Sequence, residues 1–129
     1  MPGSREIRSY RDLLIWQKGM ALAKQIYAVT RAFPSDERFG LTSQMRRAVV
    51  SVPSNIAEGQ ARHGQREFVQ FLSHAEGSLA ELDTQLTLAV ELGHCRPSDT
   101  DRSVATIAEL QKMMASLRGK LVARLATNH

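Results

Sequence analysis

One cysteine, four prolines and an aromatic content of 5% leave this 129-residue chain little but aliphatic packing to hold it together. Cys95 alone cannot make an internal disulfide, which excludes a disulfide scaffold and makes a reducing cytoplasm the expected compartment. Uninterrupted aliphatic runs such as Ala48-Val49-Val50 fall far short of the ~20 apolar residues a bilayer span needs. The opening residues lead into mixed polar sequence rather than an apolar signal core. Missing too are a Gly-x-Ser-x-Gly elbow, a phosphate-cradling glycine loop, a Gly-x-Gly-x-x-Gly fingerprint and any Cys-x-x-Cys or His-x-x-x-His pair. Without them the expectation is no catalytic residue, no metal and no cofactor.

What is present fits one helical domain over residues 1–129, because 43% hydrophobic content is too high for a disordered chain. No stretch shows the two-residue alternation of a half-buried strand, whereas four show helical spacing. The first covers about 12–31, with Asp12 as N-cap and Leu13, Trp16, Met20, Ala23 and Tyr27 as its apolar face. The second, about 42–62, places Met45, Ala48, Val52 and Ile56 together and carries Pro53 inside, which predicts a kink or, failing that, a break with Ser54 as a new N-cap. The third, about 65–92, sets Phe68, Leu72, Ala75, Leu79, Leu82, Leu86 and Ala89 on an unbroken heptad seam and stops at Gly93. The fourth, about 98–126, starts at Ser98 as N-cap and turns Val104, Ile107, Met114, Leu117, Leu121 and Leu125 inward. Short links between long amphipathic helices predict an all-α fold, an antiparallel up-down four-helix bundle with a proline-kinked second helix. Arg5 to Arg11 and Thr127 to His129 read as loose ends.

Bundles often house metals, and a di-iron site requires two Glu-x-x-His pairs and two further glutamates. Glu91-Leu92-Gly93-His94 is one such spacing, and it runs through the predicted stop glycine, so it reads as a helix-end acid and a loop histidine. His63 and His74 have no partner at sequence level that would make them catalytic bases. An enzyme using Glu58, Glu67 or His74 in a shared cavity is the lesser reading.

Two surface features stand out. The side of the second helix away from its apolar face carries Gln44, Arg47, Ser51, Asn55, Glu58 and Arg62, short amides and a hydroxyl where a solvated face is usually rich in Lys and Glu. The third helix adds Gly77, Ser78 and Glu81, small enough around Gly77-Ser78 to admit another helix. Gln44, Arg47, Ser51, Asn55, Glu58, Gly77, Ser78 and Glu81 therefore form either a subunit interface or lumen, or an ordinary wet surface. The second feature is charge: Lys+Arg exceed Asp+Glu by 17 to 13, giving +4, and the excess lies in the first half of the chain. A basic surface attracts phosphate backbones. Candidate contributors are Arg5, Arg8 and Arg11, then Arg62 and Arg66 at the turn between the second and third helices, then Lys112, Arg118, Lys120 and Arg124. With few exposed aromatics expected, such binding should follow the backbone and ignore base sequence.

The segments Leu13-Leu14-Ile15-Trp16-Gln17-Lys18, Phe33-Pro34, Glu37-Arg38-Phe39-Gly40-Leu41-Thr42-Ser43-Gln44 and Arg46-Arg47-Ala48 resemble a known family. So does Ser51-Val52-Pro53-Ser54-Asn55-Ile56-Ala57-Glu58-Gly59, followed by Ala75-Glu76-Gly77-Ser78 and Glu81-Leu82-Asp83-Thr84-Gln85-Leu86. Over roughly 12–93 the chain is similar to the bacterial four-helix bundle proteins tied to intervening sequences in 23S ribosomal RNA genes. The resemblance implies a homopentameric ring without catalytic residues. A related branch, the accessory variability determinants of diversity-generating retroelements, forms basic pentamers that work with a reverse transcriptase and nucleic acid. Trp16-Gln17-Lys18 and Pro53-Ser54-Asn55-Ile56-Ala57-Glu58-Gly59 depart from that branch, so reverse-transcriptase binding is not carried over. Together these readings predict a non-enzymatic, cytoplasmic, ring-forming homo-oligomer with RNA or DNA as partner; the rival is a protein-interaction oligomer that binds no nucleic acid.

Overall fold

Leucine, isoleucine, valine and methionine at three- and four-residue spacing give each long segment one face to bury, and helices are what form. The structure, a computed structural model, describes residues 6–127, and among them are four α-helices, two 3-10 turns and no strand. Helix α1 spans Leu14–Thr30, α2 Leu41–Ala61, α3 Gln65–Glu91 and α4 Pro97–Thr127, every end within two residues of the sequence expectation.

The caps differ from that expectation in two places. Asp12 does not cap α1; it closes a capping box with Ser9 around the 3-10 turn Tyr10–Asp12, and Leu13 precedes α1 without a side-chain cap. Nor does Ser98 cap α4, because Pro97 takes the first helical position, where its missing N–H costs nothing. Asp99 then accepts a hydrogen bond from the Arg96 backbone N–H at 2.9 Å. At the end of α3 the stop glycine behaves as read: Gly93 has φ +78°, His94 N–H donates to Ala89 C=O at 2.9 Å and Gly93 N–H to Val90 C=O at 3.0 Å. Those two bonds form the Schellman motif, which satisfies carbonyls the helix end would otherwise orphan.

All four helices contribute to one apolar core. The α3 seam is buried from Leu72 through Ala89, with Phe68 packed at its margin, and Met45, Ala48, Val52 and Ile56 of α2 face it. In α1 the centre of the buried face lies one residue from the sequence reading: Ile15, Gly19, Leu22, Ile26 and Thr30 are buried, Leu13, Trp16 and Ala23 pack at the margin, and Met20 and Tyr27 lie exposed. In α4 the buried row is Thr100, Ser103, Ile107, Leu110, Met114 and Leu121, and Val104 faces out.

Cross-helix contacts fix which ends meet. Gly19 lies against Pro53, and the Arg46 guanidinium bonds Thr30, so residue numbers rise along α1 as they fall along α2. Ser51 Oγ meets Ser78 Oγ at 2.6 Å and Gly59 abuts Phe71, giving α2 and α3 the same opposed sense. Arg118 bonds Glu76 between α4 and α3, and Lys18 pairs with Glu109 between α1 and α4. Helix α2 runs unbroken through Pro53, so no new helix begins at Ser54. A Cβ placed on Gly19 would stand 3.4 Å from Pro53 Cβ and Cδ, in ordinary van der Waals contact, so α1 packs directly against the proline ring.

At the end of the bundle opposite the α2–α3 turn, two connections clasp each other. Glu37, in the turn Ser35–Glu37 before α2, accepts from Leu41 N–H with Oε1 at 3.2 Å, and its Oε2 lies 2.8 Å from His94 Nε2 in the α3–α4 link. The His94 ring also sits 5.5 Å from that of Phe33. The hydrogen bond from His94, then that from Leu41, lowers the Glu37 carboxyl below its ordinary value of 4.5. A depressed folded-state value stabilises the fold above the unfolded one and loses that contribution as pH falls through the folded one. Thermal melts taken from neutral pH down through the carboxylate range should therefore show a steeper acid loss for the wild type than for Glu37→Gln, which keeps the Leu41 cap. Parallel curves would show that the pair contributes nothing.

Candidate nucleic-acid interface and assembly surface

Of the predicted basic contributors, Arg5 lies outside the described residues. The others fall mainly at one end. Tyr10 and Trp16 share a surface groove with Ala57, which places Arg8 and Arg11 beside the end of α2 and hence near Arg62 and Arg66 at the α2–α3 turn. The Arg118–Glu76 bond places Lys120 and Arg124, further along α4, toward the start of α3 and the same end. This basic end is not a loose tail: the Arg11 guanidinium stands 5.5 Å from the Trp16 ring centroid and 5.6 Å from that of Tyr10, over the capped turn. Arg8 and Arg62 lie near Glu6 and Glu58, at 3.9 and 3.4 Å, with side chains more than half exposed. Exposed pairs of this kind contribute little and leave the cations open to a stronger anion. Lys112, Lys120 and Arg124 are exposed along α4, the first two lining a shallow hollow with Met113, Ser116 and Leu117.

Arg118 differs from this group. Its Nε and Nη2 reach both Glu76 carboxylate oxygens, at 2.5 and 3.2 Å, and the hydrogen-bonded carboxylate raises its pKa further above the ordinary value. A guanidinium whose charge is matched by a carboxylate on both prongs ties α4 to α3 and offers phosphate little net attraction.

The polar stripe divides in the same way. Ser51 and Ser78 bond each other across α2 and α3, Asn55 Nδ2 donates to the Ser51 carbonyl at 2.7 Å, and Gln85 Nε2 donates to Glu81 at 3.3 Å. The serine pair joins α2 to α3, whereas the Asn55 and Gln85 bonds each stay within their own helix. Gln44, Arg47, Glu58, Gly77 and Glu81 are exposed, and nothing lies within 4 Å of where a Gly77 Cβ would stand. The open part of the stripe therefore includes Gln44, Arg47 and Glu58 on α2 and Gly77 and Glu81 on α3.

Sequence reasoning missed a groove. Tyr27 of α1, Arg38 and Phe39 of the connection, and Thr42, Ser43, Arg46, Arg47, Val50 and Ser51 of α2 line a cleft of about 720 Å³ at the clasped end. No acidic side chain among the described residues lines it. Arg46 lies over the Tyr27 ring at 4.4 Å, bonds Thr30 Oγ1 at 2.9 Å and donates to the Tyr27 carbonyl at 3.3 Å. Phe39 is 87% exposed; it and Tyr27 are the exposed aromatics among the described residues, few as expected.

Residues considered for catalysis or metal do not converge. His94 is bonded to Glu37 rather than set beside Glu91, which is exposed. The His74 ring lies tilted against that of Phe71, with centroids 6.1 Å apart. Burial, then the charge of Asp99, raises the Cys95 thiol and weakens it as a nucleophile. Among the described residues no three of His, Cys, Asp and Glu stand close enough to hold a metal ion, and no helix is long and apolar enough to cross a membrane.

A comparison with curated proteins finds no match. The family model of the 23S rRNA-intervening sequence proteins matches residues 11–116, a span that takes in α1, α2, α3 and most of α4. With that match over the greater part of the chain, and an all-helical fold of the kind the resemblance implied, the chain belongs to the 23S rRNA-intervening sequence protein family.

Proposed function

We propose that this chain is a non-enzymatic, cytoplasmic bundle that assembles into a homopentameric ring and binds RNA or DNA through phosphate contacts. The observation that carries the reading is the gathering of Arg8, Arg11, Arg62, Arg66, Lys120 and Arg124 at one end of the bundle. Phosphate contacts that are weak singly add through avidity when a ring repeats them. The open stripe around Gln44, Arg47, Glu58, Gly77 and Glu81 is the surface proposed for contact between copies; the pentamer number comes from the family resemblance. A ring whose partner is another protein is the second reading, favoured by the mixed charge of the same stripe, where Arg47, Glu58 and Glu81 are exposed together.

Light scattering at micromolar concentration should give about five times 14.4 kDa, and a monomer would end the ring proposal. In a filter-binding titration, log affinity should fall with log salt at about −0.9 per phosphate neutralised on duplex DNA, or about −0.7 on single strands. No binding at ~50 mM salt, where the electrostatic contribution is strong, would leave the protein-interaction ring.

A further inference from the structure

We propose that the cleft between the end of α1 and the start of α2 binds single-stranded nucleic acid, with a base stacked on Phe39 and adjacent phosphates held by Arg38 and Arg46. The inference rests on the nucleic-acid reading above, but it concerns the opposite end of the bundle and a different kind of contact.

Phe39 is the first observation. An aromatic ring 87% exposed, on a short ordered connection, contributes nothing to the core and presents a bare face to solvent. The Arg38 guanidinium stands 5.3 Å from its centroid, so ring and cation occur as a unit that matches a base and its phosphate. Arg46 is the second. Its place over Tyr27 and its bonds to Thr30 Oγ1 and the Tyr27 carbonyl fix the guanidinium before any ligand arrives, so little rotamer entropy is lost on binding. The third is the cleft itself, whose volume of about 720 Å³ admits a nucleotide and whose lining has three arginines and no acid.

These features select a strand whose bases are free to leave their stack. In a duplex both faces of every interior base are occupied, and away from the ends Phe39 has nothing to cover. A second copy presenting the same face would bring like arginines together, which disfavours a two-fold contact here.

The test is fluorescence anisotropy of the full chain with a labelled ~10-nucleotide oligouridine and, separately, a duplex of the same length. Phe39→Ala should weaken oligouridine binding about tenfold and leave duplex binding unchanged. Arg38→Ala should weaken oligouridine binding and flatten its salt dependence by about 0.7 in slope. Unchanged oligouridine affinity in Phe39→Ala, with wild-type binding intact, overturns the stacking site and leaves the basic end standing. Wild-type binding to neither probe overturns the nucleic-acid reading from which the site follows. A lower scattering mass for Phe39→Ala would make the cleft a contact between copies and also overturn the proposal.

Discussion

Leu82→Ala should lower the unfolding free energy by about 2–5 kcal/mol, a large part of the ~5–15 kcal/mol typical of a domain. Leu82 is 0% exposed and sits mid-seam on α3, where Leu79 and Leu86 flank it one turn away on either side and pack into the same core. Alanine removes three carbons from a site whose neighbours, held on rigid helices, collapse only partly into the void. The control is on the same helix. Leu88 is 45% exposed, and Leu88→Ala should stay within about 0.5 kcal/mol of wild type. Urea unfolding of both variants measures the contrast, and equal losses would mean that the seam is not the core face.

Gly59→Ala should cost about 1–3 kcal/mol even though alanine is intrinsically the better helix former by ~1 kcal/mol. A Cβ there would stand 2.7 Å from Phe71 Cβ and 3.0 Å from Phe68 Cδ1. The Phe71 Cβ is carried on the α3 backbone, so no rotamer change relieves the overlap and α2 must move away from α3. The matched substitution is Gly77→Ala, where nothing lies within 4 Å and the propensity gain should appear unopposed in the isolated chain, raising stability by ~1 kcal/mol. Thermal or urea unfolding of the two variants should move in opposite directions. Stabilisation by both would show that the helices at Gly59 have slack to give.

These contrasts explain how much was legible beforehand. The α3 seam was readable because each of its positions from Leu72 to Ala89 is apolar and each is buried. In α1 the core row includes Gly19 and Thr30, whereas the neighbouring row of Leu13, Trp16, Met20, Ala23 and Tyr27 contains neither glycine nor threonine, and its Leu13, Trp16 and Ala23 pack at the margin of the core. An unbroken run of apolar positions therefore points one residue off the core centre; Pro53 against Gly19, and Arg46 with Ile26 C=O around the Thr30 hydroxyl, show why Gly19 and Thr30 face in. In α4, Thr100 and Ser103 hid the buried row for the same reason. The basic end was readable residue by residue but not as a cluster, because its members meet only once the helices reverse direction. The arginine and aromatic cleft left no signal, since Tyr27 and Arg46 are 19 residues apart and Arg38 and Phe39 occupy a connection without periodicity.

The Glu37–His94 clasp spans 57 residues of sequence and joins two connections that belong to different helical hairpins, α1–α2 and α3–α4. Neither hairpin alone contains both partners, so the contact adds nothing to a half-folded chain and acts only when the two hairpins are docked. Such a bond lowers the population of states in which one hairpin has opened while the other persists. Its main effect is on cooperativity: with the clasp intact the bundle should open as one unit, and without it amide exchange near this end should report partial openings of a single hairpin at lower free energy than global unfolding.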